Sequence, residues 1–512
     1  MNARSFLPYV LIAIVGFALY FPVIFFGYTY LDDNVLILQR QEFLTDLSNL
    51  PRAFTEDVFH QPSGGSYYRP LLTLSFMFDA RLGGSAPFFY HLTNLLLHLL
   101  AACLVFALLM KLQFRRELSL LASLFFTVHP VLAQAAAWLP GRNDSLLAVF
   151  VLASFLCFLT YIKERRWPYL LGHLFFFLAA LLTKETAVVL PIIIILYAYL
   201  FRARLQGMLR LAAGWGLVIV PWFLLRRSVL GASIGAADFD VVRSLATNLL
   251  AVLPYIGKIV FPVNLSVLPI LRDLPLIWGL VAIALAGAGL LFSKNKRPGF
   301  IIFGIAWLLL FLLPSFIRSA SAVADFSEHR IYLSLIGFIL VCLEIDLIKT
   351  FDTKKPAHLA AAGIVLLVFS AITFRHEENF RNRLSFWKNA AETSPNYAFN
   401  HNNLGAMYFL DGEMEKAERE YKRALALNPA EPLTHNNLGL IYMNMGKLKE
   451  AEAEYLKELK INPLYDNALF NLGLLYARQG KLREARRLWQ MTLEVNPGHN
   501  DARKYLELID GK

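Results

Sequence analysis

Long apolar stretches between residues 5 and 374 constrain the fold of this chain more than any other feature of its sequence. A helix of about 20 apolar residues crosses a bilayer. Of the 512 residues, 57% are hydrophobic and 17% are charged, against about 45–50% and about 25% in soluble domains. The predicted fold class is therefore all-α, with a polytopic transmembrane domain of about eleven spans at residues 1–375. The spans are expected near residues 5–26, 91–110, 118–133, 145–162, 168–183, 185–201, 208–225, 273–292, 299–317, 330–348 and 357–374.

Basic links between these stretches predict the orientation in the membrane. Five links, KLQFRRE, KERR, FRARLQGMLR, SKNKRPG and KTFDTKKP, contain three Lys or Arg residues each. Because Lys and Arg are enriched in cytoplasmic loops, we expect these links and the N-terminus in the cytoplasm, and residues 27–90 in a long outer loop. A further apolar segment, 245–268, is interrupted by Pro254, Pro262 and Pro269. If it spanned the membrane, every later link would be inverted, so a re-entrant or interfacial position is predicted.

A period of 34 residues begins near residue 384. The triplet NLG recurs at 403, 437 and 471, and the pair NP recurs at 428, 462 and 496. This is the period of the tetratricopeptide repeat, a pair of antiparallel helices that stacks into a solenoid. The sequence predicts an α-solenoid at 384–512, divided into a half repeat 384–397, repeats 398–431, 432–465 and 466–499, and a capping helix 500–510.

The predicted topology places the repeats outside the cytoplasm. Eleven spans after a cytoplasmic N-terminus bring the solenoid to the outer side of the membrane. We therefore expect an integral protein of a bacterial inner membrane with periplasmic repeats. The alternative is the endoplasmic reticulum membrane with lumenal repeats.

Charged and polar residues gather at the predicted outer ends of the helices. Two adjacent aspartates, Asp32 and Asp33, stand in the outer loop directly after the first apolar stretch. Ionisable groups at such a place are costly, and by default they indicate a functional site; for any single residue, solvation of a helix end is the alternative. The other members of this set are Arg69, His129, Gln134, Arg142, Asp144, Lys184, Glu185, Arg226, Arg227, Glu328, His329 and Arg330.

One helix face in the second apolar stretch is unusually polar. His91, Asn94 and His98 share it at helical spacing. A hydrogen-bonded contact between helices is the favoured interpretation, and a wall of the site is the alternative.

Five motifs in order resemble a known family. They are YLDDNVLI, YYRPLLTLSFMFDARLGGSAPFFYHLTNLLLHLL, HPVLAQAAAWLPGRND, LLTKETAVVLPIIIILY and SEHRIYLSLIGF, and tetratricopeptide repeats follow them. Together they resemble the transmembrane-and-tetratricopeptide-repeat O-mannosyltransferases and their bacterial relatives, which belong to the GT-C class of glycosyltransferases. The resemblance implies a polyprenyl-phosphate sugar donor, a Ser or Thr acceptor in a protein, and transfer of mannose or a similar hexose on the non-cytoplasmic face. It also implies that a carboxylate of the first outer loop is the catalytic base, and Asp32 matches the first acidic residue of that motif.

Sugar transfer from a lipid phosphate to a hydroxyl requires a base, cations for the leaving phosphate and an apolar groove for the lipid. The aspartate pair supplies the base. The family has Glu where this chain has Gln134, so a divalent cation is possible but not favoured. No nucleic-acid partner is expected, because the basic cytoplasmic links explain the net charge of +11. The predicted donor-binding residues are Arg69, His129, Arg142, Asp144, Lys184, Glu185, Arg226, Glu328, His329 and Arg330.

The solenoid is predicted to bind the acceptor protein. Asn403, Asn437 and Asn471 occupy equivalent positions in successive repeats, and such amides can hold an extended peptide by paired hydrogen bonds. The alternative is that Asn is a common residue before Leu-Gly in this repeat. Two other functions stay open: a non-enzymatic scaffold that assembles partners through its repeats, and an enzyme with a lipid or glycan acceptor. A scaffold has no use for the aspartate pair, and a lipid acceptor has no need of a peptide-binding solenoid.

Overall fold

The computed structural model describes residues 3–59, 67–202, 208–231, 241–317, 326–509 and 511. Every regular element formed by these residues is helical, so the predicted all-α class is confirmed. The chain divides into two compact units, Met1–Phe386 and Trp387–Lys512.

The first unit contains eighteen α-helices among its described residues, several of them joined by short 3-10 turns. Proline opens α4, α5, α15 and α18, because its fixed φ and missing N–H suit the first helical position. The helices are α1 (Ala3–Tyr20), α2 (Asp32–Leu36), α3 (Gln41–Thr45), α4 (Pro70–Gly83), α5 (Pro87–Lys111), α6 (Arg116–Thr127), α7 (Ala133–Ala137), α8 (Arg142–Glu164), α9 (Trp167–Thr183), α10 (Leu190–Leu200), α11 (Met208–Leu230), α12 (Val241–Asn248), α13 (Val252–Val260), α14 (Ile277–Phe292), α15 (Pro298–Leu312), α16 (Ile331–Cys342), α17 (Asp346–Lys349) and α18 (Pro356–Glu377).

Six helical segments in the described ranges are long and apolar enough to cross a membrane, which confirms a polytopic integral membrane domain. A pair bent by 52°, Arg116–Thr127 with Pro130–Ala137, makes a seventh if it counts as one span. Other predicted spans coincide with shorter helices, such as Trp167–Thr183 and Ile277–Phe292. A helix of 17 residues is about 26 Å long, slightly less than the hydrocarbon core of about 30 Å. Eleven spans therefore remain a prediction. The six segments are Phe6–Phe25, Pro87–Lys111, Leu139–Glu164, Met208–Leu230, Pro298–Phe316 and Pro356–Phe380.

The core of this unit is built around α5 and α8, which pack against each other. Helix α5 also contacts α1 and α6, and α8 packs along α9. Helices α15 and α16 approach closely at Gly304 and Gly337, where a Cβ on either residue would overlap the facing backbone. Small residues at helix contacts are the usual means of close packing in a membrane.

The second unit is a solenoid of helix pairs, as the 34-residue period predicts. Each pair closes on a glycine that faces an aromatic ring: Gly405 faces Tyr421, Gly439 faces Tyr455 and Gly473 faces Trp489. The helices are α19 (Arg383–Thr393), which crosses the boundary between the units, and then α20 (Ala398–Leu410), α21 (Met414–Leu427), α22 (Thr434–Asn444), α23 (Leu448–Ile461), α24 (Asp466–Arg478), α25 (Leu482–Val495) and α26 (Asn500–Ile509).

Hydrogen bonds that recur with the same period join successive repeats. The Tyr442 hydroxyl donates to Glu418 Oε1 at 3.2 Å, and the Tyr476 hydroxyl donates to Glu452 Oε1 at 2.9 Å. Each bond therefore connects one repeat to the next at equivalent positions.

We predict that Gly439→Ala loosens the second repeat. The added methyl group would lie 2.7 Å from the Tyr455 ring, and such overpacking costs about 1–3 kcal/mol. Hydrogen exchange of the full chain should therefore accelerate in α22 and α23. Gly498→Ala is the matched control, because its Cβ would contact only the end of the Asn496 side chain. Equal exchange rates in the two variants would contradict this packing.

Candidate functional site

The two adjacent aspartates lie in different environments. Asp33 is fully buried; its Oδ2 accepts hydrogen bonds from N and Oγ1 of Thr29 at 2.6 and 3.0 Å, and its Oδ1 accepts one from N of Leu31 at 3.0 Å. Burial raises the pKa of the Asp33 carboxyl, and the hydrogen bonds oppose that rise. Asp32 is only half-buried. Asp33 thus fixes the turn that presents Asp32 at the start of α2.

Trp138 connects this turn to a second polar group. Its Nε1 donates to Thr29 Oγ1 at 3.2 Å, and its ring centroid lies 5.8 Å from that of His329. His329 Nε2 is 3.8 Å from Asp144 Oδ2. Trp138 therefore lies between the aspartate turn and the residues around Asp144.

Lys184 is held by α8 residues. Its Nζ donates to Asp144 Oδ1 at 2.7 Å and to Asn143 Oδ1 at 3.1 Å. The side chains of Lys184 and His329 retain 11% and 12% of their exposure. We call Asp32, Asp33, Trp138, Asp144, Lys184 and His329 together the outer polar cluster, after the side of the membrane that the sequence predicts for them.

Arg69 and Glu185 form a neighbouring ion pair. Arg69 Nη2 lies 3.3 Å from Glu185 Oε1, and its guanidinium stands 4.3 Å from the centre of the Tyr67 ring. Arg69 Nε has no hydrogen-bond partner among the described residues. Because Glu185 follows Lys184 in the chain, this pair brings a second permanent cation, Arg69, close to the outer polar cluster.

Arg142 was predicted to bind the donor, which would require a side chain that a ligand can reach, but its environment is different. It is fully buried and lies 2.5 Å from Asp79 Oδ2, which is fully buried too. It also donates to Asn94 Oδ1 at 2.6 Å, to Tyr90 O at 2.7 Å and to Ser75 Oγ at 3.2 Å. This network joins α4, α5 and α8, so the geometry favours a structural role for Arg142 over contact with a donor.

Three other residues of the predicted polar set contact α13 and the segment that follows it. His129 Nε2 lies 3.0 Å from the carbonyl oxygen of Ile259, and Gln134 Nε2 donates to Val267 O at 3.2 Å. Glu328 Oε1 pairs with Lys258 Nζ at 2.6 Å. All three side chains are almost fully buried. As with Arg142, these partners favour a structural role for His129 and Glu328 over the predicted donor contact.

Burial and charge act in opposite directions on Glu328. Burial raises the pKa of its carboxyl, while Lys258 and the Ser266 N–H, which donates at 3.0 Å, oppose that rise. Glu328 Oε2 has no hydrogen-bond partner in the described ranges.

The remaining predicted cations differ in position. Arg330 follows His329 directly and is half-buried. Arg226 is half-buried near the end of α11. No hydrogen bond or ion pair within the described ranges joins Arg226 to the outer polar cluster. Arg330 is thus next to the cluster along the chain.

The polar face of α5 holds helices together. Asn94 donates to the carbonyl oxygens of Trp138 and Leu139 at 3.0 and 3.3 Å. His98 Nδ1 lies 2.7 Å from the Tyr332 hydroxyl, and its Nε2 lies 3.0 Å from Thr127 O. His91 is buried beside the backbone of Phe26 and Gly27. The favoured interpretation of this face, a contact between helices, fits Asn94 and His98.

The asparagines of the repeats bond within the solenoid. Asn403 Nδ2 donates to Phe399 O at 2.8 Å, inside its own helix. Asn437 Nδ2 lies 3.4 Å from Asn402 Oδ1, and Asn471 Nδ2 donates to Asn436 Oδ1 at 2.9 Å. The repeating amides therefore have internal partners, which favours repeat-to-repeat contacts over the predicted contact with an acceptor.

Several residues of this region were not predicted from the sequence. Asp79 stands alone in the apolar run SFMFDA, and an isolated acid in such a run is the available signal for a buried ion pair. Trp138 and Asn143 belong to the motif AWLPGRND, but nothing in that motif reveals their distant partners. Glu377 is fully buried at the end of α18, and neither carboxylate oxygen has a hydrogen-bond partner among the described residues.

The described side chains include no group of three or more His, Cys, Asp or Glu residues arranged to hold a metal ion. In the outer polar cluster, Asp144 is paired with Lys184, and the nearby amide of Gln134 donates to Val267 O. The described donor set therefore does not fit a divalent cation.

Both regions of the chain match known families. Residues 71–224 match a model described as dolichyl-phosphate-mannose-protein mannosyltransferase. Residues 405–446, 432–465 and 466–499 match tetratricopeptide-repeat models. A Drosophila melanogaster protein O-mannosyl-transferase, Tmtc1, is 35% identical over 178 residues, which are 34% of this chain and 20% of that protein.

The chain is similar to protein O-mannosyl-transferases in its membrane unit and to tetratricopeptide-repeat proteins in its solenoid. A Caenorhabditis elegans protein O-mannosyl-transferase, F38B6.6, is 25% identical over 388 residues, which are 70% of this chain and 54% of that protein. The human protein O-mannosyl-transferase TMTC2 is 32% identical over 168 residues, which are 31% of this chain and 20% of that protein. The chain thus spans between a fifth and about half of the length of these relatives.

We predict that Arg142→Met strongly destabilises the membrane unit. The change leaves Asp79 buried without its counter-ion, and breaking a buried ion pair in this way costs about 3–5 kcal/mol. The melting temperature of the purified full chain in detergent measures the loss. The double variant Asp79→Leu/Arg142→Met removes both charges and should melt at a higher temperature than Arg142→Met. The single variant Asp79→Leu completes the comparison. If the decrease in melting temperature of the double variant equalled the sum of the decreases of the two single variants, the two residues would not be coupled, which would contradict the ion pair.

Proposed function

We propose that this chain is a membrane glycosyltransferase that moves mannose or a similar hexose from a polyprenyl-phosphate donor to a Ser or Thr hydroxyl of a protein. One observation carries the proposal. The turn that carries Asp32, a half-buried carboxylate, is joined through Thr29 and Trp138 to His329, Asp144 and the cation Lys184. The match of residues 71–224 to a mannosyltransferase model supports it.

Asp32 is proposed as the general base. It accepts the proton of the acceptor hydroxyl as that oxygen attacks C1 of the sugar, and the bond from C1 to the donor phosphate breaks. The leaving group is the polyprenyl phosphate. An attack from the face opposite the phosphate inverts the configuration at C1. Asp33 is less suited to this role, because its two oxygens already accept three hydrogen bonds from Thr29 and Leu31.

Lys184, His329, Arg330 and Arg69 are the proposed partners of the donor phosphate. Positive groups near the leaving oxygens stabilise the charge that develops as the bond breaks. Asp144 and Asn143 hold the Lys184 ammonium in place. An ammonium oriented in this way needs little rearrangement when the phosphate arrives, which is the advantage of a preorganised site. Arg69 Nε, which lacks a described partner, is a further donor for a phosphate oxygen.

The repeats are proposed to recruit the acceptor protein. Tetratricopeptide solenoids offer an extended surface that suits a peptide. Asn403 and Asn437 are half-buried, whereas Asn471 is buried at 8% exposure. Since their amides bond within the solenoid, contact with an acceptor would rest on other groups of the same surface.

We predict that Asp32→Asn and Asp33→Asn fail in different ways. Loss of a general base lowers the rate by about 10²–10⁴-fold, so Asp32→Asn should reduce transfer from polyprenyl-phosphate mannose to a Ser/Thr peptide without changing the melting temperature. Asp33→Asn can place an amide NH₂ group against the Thr29 N–H, and two donors repel each other. This variant should therefore lower the melting temperature, and any loss of transfer should follow from the lower stability. The assay uses the purified full chain.

The matched pair separates catalysis from folding. Full transfer by a stably folded Asp32→Asn variant would contradict the proposed base. No transfer by the wild-type chain with any prenyl-linked sugar would favour a scaffold. If the wild-type chain transferred the sugar to a lipid or glycan in preference to the peptide, the acceptor would be that molecule and not a protein.

Chelation is predicted to leave transfer unchanged. The cations of the cluster are side chains, and Asp144 is already bound to Lys184, so the site does not supply the carboxylate set that a divalent cation needs. Transfer is compared before and after dialysis against a chelator. A loss of transfer that Mg²⁺ or Mn²⁺ restores would contradict this prediction.

A further inference from the structure

Helix α18 is the least covered of the candidate membrane spans. Only 6% of its apolar window is buried inside the molecule, against 22–67% for the other five. Its first half faces α6, α16 and α17 across a gap. The gap is an open groove with a volume of about 470 Å³, and its walls are apolar; among the residues that line it are Leu118, Phe125, Phe338, Ile348, Ala362 and Val365.

The groove is separate from the outer polar cluster. It follows α6 from Leu118 to Phe125, with Phe351 and His358 at the end beside the basic links, whereas the cluster lies beyond the end of α6, at Trp138 and Asp144. His358 and Cys342 are the titratable side chains among the described lining residues. The Nδ1 atom of His358 accepts a hydrogen bond from the Asp352 N–H at 2.9 Å. Apolar walls of this kind suit a hydrocarbon chain.

The mouth of the groove is positively charged. Two of the basic links, 111–117 and 349–356, meet there, because Arg115 Nη1 donates to the carbonyl oxygens of Lys349 and Phe351 at 3.2 and 3.1 Å. Lys354 and Lys355 are exposed at the start of α18. Basic groups beside a cleft between membrane helices attract the phosphate of an anionic lipid.

We propose that this groove binds one acyl chain of an anionic phospholipid, with the lipid phosphate at Lys354 and Lys355. The charge at the mouth selects the anionic headgroup, and the apolar lining holds the chain. The lipid would cover the face of α18 that the protein leaves open and connect α18 to α6 and α16. The site is independent of the proposed sugar transfer, because none of its residues belongs to the outer polar cluster.

Native mass spectrometry of the full chain in detergent tests the proposal, with phosphatidylglycerol and phosphatidylcholine of the same acyl chains. The wild type should retain about tenfold more phosphatidylglycerol than phosphatidylcholine, because two lysines near the lipid phosphate favour an anionic headgroup. Ala362→Phe fills the groove and should abolish retention. Ala360→Phe is the matched control, because Ala360 is exposed on α18 and outside the lining. Lys354→Glu/Lys355→Glu should remove the preference for the anionic lipid.

Melting temperatures confirm that each variant is folded before its lipid binding is compared. Equal retention by Ala362→Phe and Ala360→Phe would overturn the site in the groove. Equal retention of the two lipids by the wild type would overturn the role of the lysines. Displacement of phosphatidylglycerol by an equimolar polyprenyl phosphate would assign the groove to the tail of a prenyl lipid instead.

Discussion

The buried ion pair between Arg142 and Asp79 is the interaction on which the polar end of the membrane unit depends. Arg142 opens α8, Asp79 lies on α4, and the same guanidinium also bonds to Asn94 and Tyr90 on α5. Two charges without water are stable only when each is paired and hydrogen-bonded. The pair therefore allows a single relative arrangement of the three helices. That arrangement sets where the first residues of α8 and α4 lie.

The candidate site follows from this arrangement. Asp144 stands two residues after Arg142 and binds Lys184. Arg69 caps α4 and meets Glu185, the neighbour of Lys184. The ends of α4 and α8 thus place both pairs side by side. Polar residues that are fully buried hold this framework together, whereas Asp32, Lys184 and His329 retain some exposure.

Periodic features of the sequence predicted the fold well. Hydropathy alone indicates the membrane unit, and the 34-residue period indicates the solenoid, because both signals repeat along the chain. The number of spans is harder, since helices such as α9 and α14 are close to the minimal length. Prolines and short 3-10 turns divide apolar stretches that the sequence presents as continuous.

Individual contacts of the site were less predictable. Charge and position placed Asp144, Lys184, Glu185 and Arg69 in one region, but they do not reveal that Lys184 pairs with Asp144 and Glu185 with Arg69. Partners such as Asp79 and Arg142 are far apart in the chain and meet only through helix packing. The asparagine amides of the repeats are a second case in which the sequence does not reveal the partner. Equivalent asparagines suggest a binding surface, yet a solenoid also brings them within bonding distance of one another.

The most direct test of the proposed site is an electron cryomicroscopy structure of the full chain with a bound polyprenyl-phosphate mannose. The account predicts that the phosphate lies within hydrogen-bond distance of Lys184 or Arg330, with C1 of the sugar facing Asp32. A phosphate bound at the end of the helices where the basic links lie, or a sugar remote from Asp32, would contradict it.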